Sequence, residues 1–220
     1  MYNMFNKHGE KRMKQNFKLI LDNTLKKIKS ENKRPSLLLH ACCAPCSSYV
    51  LEYLSSYFDI TVFFYNPNIT EDREYKKRAN ELIRMISEMP LDSEVKFING
   101  AYEPSKFTEI AKGLEDTPEG GERCFKCYRL RLCETASAAK KDGFDYFTTT
   151  LSISPHKNAQ VLNEIGNELS EIYGVPYLFS DFKKRGGYKR SCELSEIYNL
   201  YRQNYCGCIY SKKEREKNGN

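Results

Sequence analysis

Apolar positions along the chain switch between two periods. Phe17, Ile20, Leu21, Leu25 and Ile28 recur at helical spacing, which predicts an amphipathic helix ahead of the first strand. A short apolar run from Leu37 then ends at His40, three cysteines follow within a few positions, and helical spacing resumes through Tyr57. That reads as strand, cysteine turn and helix. Ile60 to Tyr65 (ITVFFY) is a buried strand closed by Asn66-Pro67-Asn68, and a helix to Met89 turns Tyr75, Ala79, Leu82, Ile83 and Ile86 inward. Val95 to Ile98 is a third strand. A short helix with Phe107 and Ile110 leads to the loop Pro118-Glu119-Gly120-Gly121 and a helix from Arg123 to Lys141 that stops at Gly143. Phe144 to Leu151 is a strand, Ser154-Pro155 opens a helix carrying Val161, Leu162, Ile165, Leu169 and Ile172, and Val175 to Phe179 is the last strand. Helical spacing returns from Cys192 to Tyr201. Strands that alternate with helices predict one α/β domain with a parallel sheet covered on both faces and right-handed crossovers.

The predicted boundaries are a basic N-terminal extension with one helix over 1–34, the α/β domain over 35–210 with its cysteine-containing C-terminal part, and a charged tail over 211–220. Residues 1–13 read as disordered. No apolar run approaches the roughly 20 residues of a membrane span, and the N-terminus is polar, so no membrane role and a cytoplasmic location are expected. In a reducing compartment, nine cysteines at paired spacings favour metal binding or redox chemistry over a disulfide scaffold.

Charge adds a partner. Residues 1–34 hold ten Lys/Arg against three Asp/Glu, and residues 183–220 hold ten against four, while the stretch between them is acidic. Basic ends around an acidic middle suit a polyanion gripped at the periphery, with Lys183, Lys184, Arg185, Lys189 and Arg190 as candidate contacts; a merely solvated surface is the plainer reading. Neither GxGxxG nor GxxxxGK(S/T) is present, so a nucleotide cofactor is not supported.

The chemistry lies in the cysteines. Cys42, Cys43 and Cys46 sit where the first strand passes into a helix N-terminus, which favours anions and lowers thiol pKa. Pro45 suits the first helical turn. On a helical turn Cys43 and Cys46 share a face and Cys42 points roughly 100° away. Cys124 and Cys127 open another helix far downstream, and two CxxC pairs from two helix starts can converge on one metal centre. Tetrahedral sulfur ligation serves zinc and iron-sulfur clusters alike. Cys42 is an extra thiolate that a closed zinc site would not require; it fits a second metal, an open cluster position or a substrate-facing thiolate. Cys43-Ala44-Pro45-Cys46 also reads as a thioredoxin-type CxPC pair, although a free dithiol reductase would not need the other three cysteines. Cys206 and Cys208 form a candidate redox-active disulfide, too close for unstrained geometry but able to close a strained, easily reduced bond; a metal pair and two unconnected thiols are the other readings. Cys133 and Cys192 read as packing residues. His40, at the strand end beside the cysteines, is a candidate acid, with a buried hydrogen-bonded histidine the commoner case. His156 carries the same two readings.

With these motifs in place the chain resembles the QueH type of epoxyqueuosine reductase. The resemblance rests on LLLHACCAPC (Leu37 to Cys46), YNPNI (Tyr65 to Ile69) with EYKKR (Glu74 to Arg78), ERCFKCYRLRL (Glu122 to Leu132), TTTLSISPHKN (Thr148 to Asn158) and YCGC (Tyr205 to Cys208). It implies a Rossmann-like sheet similar to that of nucleotide-handling PP-loop (HUP-like) proteins, with cysteines in place of their phosphate loop. It also implies cobalamin-independent, iron-sulfur-dependent reduction of epoxyqueuosine to queuosine in tRNA. A 4Fe-4S cluster with an adjacent iron, held among Cys42, Cys43, Cys46, Cys124 and Cys127, and an external electron donor belong to that expectation.

Overall fold

The structure, a computed structural model, describes residues 15–217. The stretch expected to be disordered, 1–13, lies outside them. Among the described residues, eight α-helices and four strands follow in the order α1 (Phe17–Ser30), β1 (Ser36–His40), α2 (Ala44–Leu54), β2 (Asp59–Phe64), α3 (Asp72–Glu88), β3 (Lys96–Asn99), α4 (Pro104–Ala111), α5 (Glu122–Asp142), β4 (Tyr146–Thr149), α6 (Ala159–Tyr173), α7 (Gly187–Ile197) and α8 (Ile209–Lys217). The strands are parallel, in the order β3-β2-β1-β4. The α/β fold with a parallel sheet is as the periodicity predicts.

The central strands are buried on both faces, which is why they are continuous apolar runs rather than alternating ones, while the edge strand β3 is largely exposed. Leu37 and Leu39 of β1, with Ile60, Val62 and Phe64 of β2, face a core closed by α1, α2 and α3. Leu38 and Phe63 point the other way, into a core closed by α5 and α6. α1 is built into the first of these cores through Leu21, Leu25 and Ile28, and Phe17 stacks on Phe179.

Three elements depart from the expectation for local reasons. The strand expected over Val175–Phe179 is reduced to a bridge between Phe147 and Tyr177. Pro176 contributes its carbonyl to Phe147 but has no N-H to extend a ladder. The helix expected from Ser154 starts at Ala159, because Thr150–Ile153 first makes a 3-10 turn and the Asn158 side chain then accepts from Val161 N. α8 falls largely in the expected charged tail. Ser211 alone is buried on it, so it has no apolar stripe to read.

Candidate metal centre and cavity

The carboxyl end of β1 opens into the cysteine turn, and the register of the sheet sets what surrounds it. Ala41 N donates to Phe63 O, and Asn66 Nδ2 donates to Ala41 O at 2.8 Å, fixing the chain just before Cys42. Cys43 is the N-cap of α2 in extended conformation (φ −172°, ψ 164°), and its carbonyl accepts from Ser47 N and Ser47 Oγ. The helix begins only at Ala44, so a 100° helical step does not separate Cys42 from Cys43. The sulfurs of Cys42, Cys43 and Cys46 all lie within 4.8 Å of one another, and Cys42 Sγ is 3.7 Å from Cys43 Sγ. Tetrahedral ligation with metal-sulfur bonds of about 2.3 Å puts thiolates about 3.8 Å apart, so this triad is already spaced to grip one metal ion.

The three thiols are not equivalent. Cys43 accepts from the thiols of Cys42 and Cys46 and feels the Arg78 guanidinium and the Gln203 amide, which hold its pKa well below the usual thiol value despite burial. Donating to Cys43 pushes Cys42 up to about 12. Cys46 is raised by its two sulfur neighbours and by burial. Of the three, Cys43 is the thiol whose ionised form the surroundings favour.

A second group of cysteines gathers around a separate, smaller cavity, and among the described residues neither Cys124 nor Cys127 joins the triad's sulfurs within 4.8 Å. Cys124 and Cys127, on the first turns of α5, line a small cavity of about 10 Å³ together with Cys206 and Cys208. Burial raises Cys127 to about 12 and also raises Cys124 and Cys208. Cys208 precedes α8, and its Sγ accepts from Ser211 N at 3.4 Å, while Ser211 Oγ accepts from Cys206 N. All nine cysteines are free thiols. Cys206 and Cys208 are thus not the expected disulfide here, since the Cys208 sulfur is turned into the helix start as its cap.

A larger cavity of about 430 Å³ opens past the triad, where Cys42 and Cys46 meet Leu151, Ile153 and Ser154 from the end of β4. Glu119, Arg131, Lys157 and Cys206 line both cavities and so form the partition between them. The sequence left these buried cations without a role. Arg78, 2% exposed, pairs with Glu74 at 2.7 Å and donates to the carbonyls of Cys206 and Tyr205, clamping the cysteine turn. Gly207 completes that turn at φ +117°, where a Cβ would lie 2.9 Å from Ile69. Lys157 pairs with Glu119 at 2.9 Å. Arg131, 1% exposed, makes no ion pair among the described residues; its Nε donates to Cys127 O at 3.3 Å, and its Nη2 is buried with no hydrogen-bond partner. Arg78, Arg131 and Lys157 all fall inside motifs of the resemblance. Their spacings carried the signal: Glu74 to Arg78 and Cys127 to Arg131 are each one helical turn apart.

His40 occupies another position than an acid would. It is fully buried, does not line either cavity, and shares its nitrogens with Thr149 Oγ1 at 2.8 Å and Tyr65 O at 3.0 Å. A carbonyl can only accept, so Nε2 carries the proton, and Thr149 donates to Nδ1. Burial and Arg131 lower its pKa to about 3. His40 is a strut between β1, β2 and β4. We expect His40→Ala to destabilise the metal-free protein by roughly 2–4 kcal/mol, from the cavity and the orphaned Tyr65 carbonyl, measured by denaturant unfolding.

His156 is exposed and lines the larger cavity. Cys133 meets Tyr173 Oη at 3.2 Å beside the second core, and Cys192 is half-buried on α7.

Most of the basic loop is engaged internally. Lys183 pairs with Asp181, Arg185 with Asp22, Arg190 with Glu52 and Glu193, and Lys189 more loosely with Glu193. Lys184 has no ion pair among the described residues. The cavity itself carries Arg202, outside the expected contacts, and Arg215 of the basic C-terminal tail. No described helix is long and apolar enough to cross a membrane.

A sequence profile described as epoxyqueuosine reductase QueH matches residues 37–214. The chain belongs to this family. It is 46% identical to the epoxyqueuosine reductase QueH of Streptococcus pyogenes serotype M1 over 202 residues, covering 91% of this chain and 79% of that one. It is 46% identical to that of Staphylococcus epidermidis over 205 residues (90% and 86%), and 38% identical to that of Thermotoga maritima over 188 residues (83% and 93%). Both cysteine groups, the cationic partition and the β4 rim of this QueH-family chain fall within the matched residues. Among solved structures, the U34-tRNA thiolase NcsA from Methanococcus maripaludis with its 4Fe-4S cluster aligns at 13% identity and TM-score 0.47, covering 99% of this chain and 84% of that one. That likeness is too distant to inform the chemistry.

Proposed function

We propose that this chain reduces epoxyqueuosine to queuosine at the wobble position of tRNA, using an iron-sulfur cluster and an adjacent iron. The observation that carries the reading is the Cys42, Cys43 and Cys46 triad, spaced for one ion beside a cavity at the carboxyl end of the sheet, with Cys124 and Cys127, some eighty residues on in sequence, across a cationic partition from it. Cys42, Cys43, Cys46, Cys124 and Cys127 are the ligands we assign. Soft thiolates from two helix starts suit iron-sulfur ligation, and the spacing of the triad suits one ion. When bound, such a centre supplies single-electron chemistry and a Lewis acid for an oxygen.

The remaining tasks fall to the protein. Conversion of an epoxide to an alkene breaks two C-O bonds, consumes two electrons and two protons, and releases the oxygen as water. The dithiol of Cys206 and Cys208 can provide both electrons and both protons on closing to a disulfide, which an external donor then reduces. Cys206 borders both cavities and Cys208 the smaller one, so one thiol of that pair reaches the larger cavity. The Lys157 ammonium, beside the larger cavity, can hold the departing oxygen's developing charge.

The tRNA is held through phosphates by Arg202 and Arg215 at the cavity, with the 183–190 loop alongside and the base turned in. Reversing Arg202 and Arg215 together should weaken tRNA binding at least about tenfold at moderate salt and flatten its salt dependence by about one to two units of log-log slope. Reversing Lys183, Lys184 and Arg185 should cost less, because two of them already face carboxylates. Filter binding across a salt series compares the two.

Absorbance with iron, sulfide and zinc analysis on anaerobically purified protein tests the cofactor. A brown protein with several irons and matching sulfide supports the reading. A colourless protein with one zinc after attempted reconstitution overturns it in favour of a zinc-stapled tRNA-binding module, and turnover without any metal would make the protein a thiol oxidoreductase.

A further inference from the structure

We infer that Arg131 is the fixed positive charge shared by the two cysteine groups, a positioning residue that sets the reduction potential of the centre they hold. The inference rests on the cluster reading given above and adds a residue to it. Of the buried cations around the cysteines, Arg78 and Lys157 each have a carboxylate within an ion-pair distance, and Arg123 spends its Nη1 on the carbonyls of Leu114, Glu115 and Thr117. Arg131 has neither arrangement. Its Nη2 is buried without a partner, and it lines both cavities.

A guanidinium cannot shed its proton to relieve burial, so it must face negative charge. The anionic groups it faces are the thiolates of Cys127, Cys206 and Cys42, one or more from each side of the partition, beside buried His40 and the Tyr128 ring, whose centroid lies 5.9 Å from the guanidinium carbon. Position on α5 explains this placement. Arg131 follows Cys127 by one turn, and its Nε is tied to the Cys127 carbonyl, so the same helix that presents the downstream thiolates also delivers their counter-charge.

A fixed cation beside an anionic thiolate centre favours the state with one more electron, because added negative charge is stabilised where it forms. Arg131 therefore raises the potential at which the centre accepts an electron.

The test is a redox titration of the cluster-loaded full chain, followed by absorbance and electron paramagnetic resonance, with Arg131→Met and Arg131→Lys. In Arg131→Met the midpoint should move to more negative potential. At the potential where the wild type is half reduced, its ratio of reduced to oxidised centre should fall at least about tenfold, or about 59 mV for one electron. Arg131→Lys keeps the charge and should change that ratio less than about threefold. Arg131→Gln, which keeps a hydrogen-bond donor and removes the charge, is read in the same way if Arg131→Met does not fold or load. A charge-removing variant with wild-type iron and sulfide and an unchanged midpoint overturns the inference, and so does Arg131→Lys shifting as far as Arg131→Met. A wild type that takes up no cluster overturns the cofactor reading itself, which separates the two failures.

Discussion

Cys43→Ser abolishes reduction of epoxyqueuosine, by at least about a hundredfold, and lowers iron and sulfide uptake about tenfold or more. Removal of groups that merely orient metal ligands already costs 10–100-fold, so loss of a ligand sets that as a floor. Cys43 is the thiol whose ionised form the protein stabilises, through two neighbouring thiols, Arg78 and Gln203. A serine hydroxyl at this place does not ionise and is a poor soft-metal ligand. The N-cap role survives, since serine is a favoured cap, so the metal-free fold should stay within about 1 kcal/mol of wild type. Iron and sulfide analysis beside nucleoside analysis of treated tRNA gives both numbers. Cys133→Ser, remote from both cavities, is the matched control and should retain its iron.

Arg78→Met is the largest expected effect on stability. It leaves Glu74 nearly buried without its counter-charge, held by the Tyr201 hydroxyl, and removes the donors that hold the Tyr205 and Cys206 carbonyls. Breaking a buried pair from one side costs roughly 3–5 kcal/mol. For a chain of this size that is a fall in Tm of about 6–20 °C. The double variant with Glu74→Gln should recover part of that loss, because the stranded carboxylate is gone, and a double-mutant cycle measured by thermal unfolding reads the difference. Additivity of the two losses would show that the ion pair does not anchor the cysteine turn.

The fold was legible because the central strands of its sheet are buried on both faces. Continuous apolar runs such as LLL and ITVFFY, separated by helical spacing, leave few arrangements other than a parallel α/β sheet, and the cysteine turn then falls at the carboxyl rim. Pro176 shows where that logic stopped: Val175 to Phe179 has strand composition, but one missing N-H reduces it to a bridge. Cys42 was placed away from its neighbours by applying the helical step before the helix begins. The extended backbone of Cys43 brings all three sulfurs together. The partition was hidden for another reason. Arginine and lysine in a charged sequence read as surface; the one-turn spacings of Glu74 to Arg78 and Cys127 to Arg131 were the local signal, but nothing in the sequence shows that Arg131 and Lys157 meet between two cavities. The 183–190 loop reads as free basic charge partly for the converse reason: Asp22 and Glu52, which pair with Arg185 and Arg190, lie more than a hundred residues away.

The most direct measurement is nucleoside mass analysis of tRNA carrying epoxyqueuosine after anaerobic incubation with a chemical reductant and the reconstituted protein, beside the metal-free protein. The account predicts that the reconstituted protein converts the nucleoside to one lighter by a single oxygen atom, that is, to queuosine, and that the metal-free protein leaves it unchanged. Equal conversion by both preparations would contradict the iron-sulfur claim, and no conversion by a fully loaded, reduced protein would contradict the reductase itself.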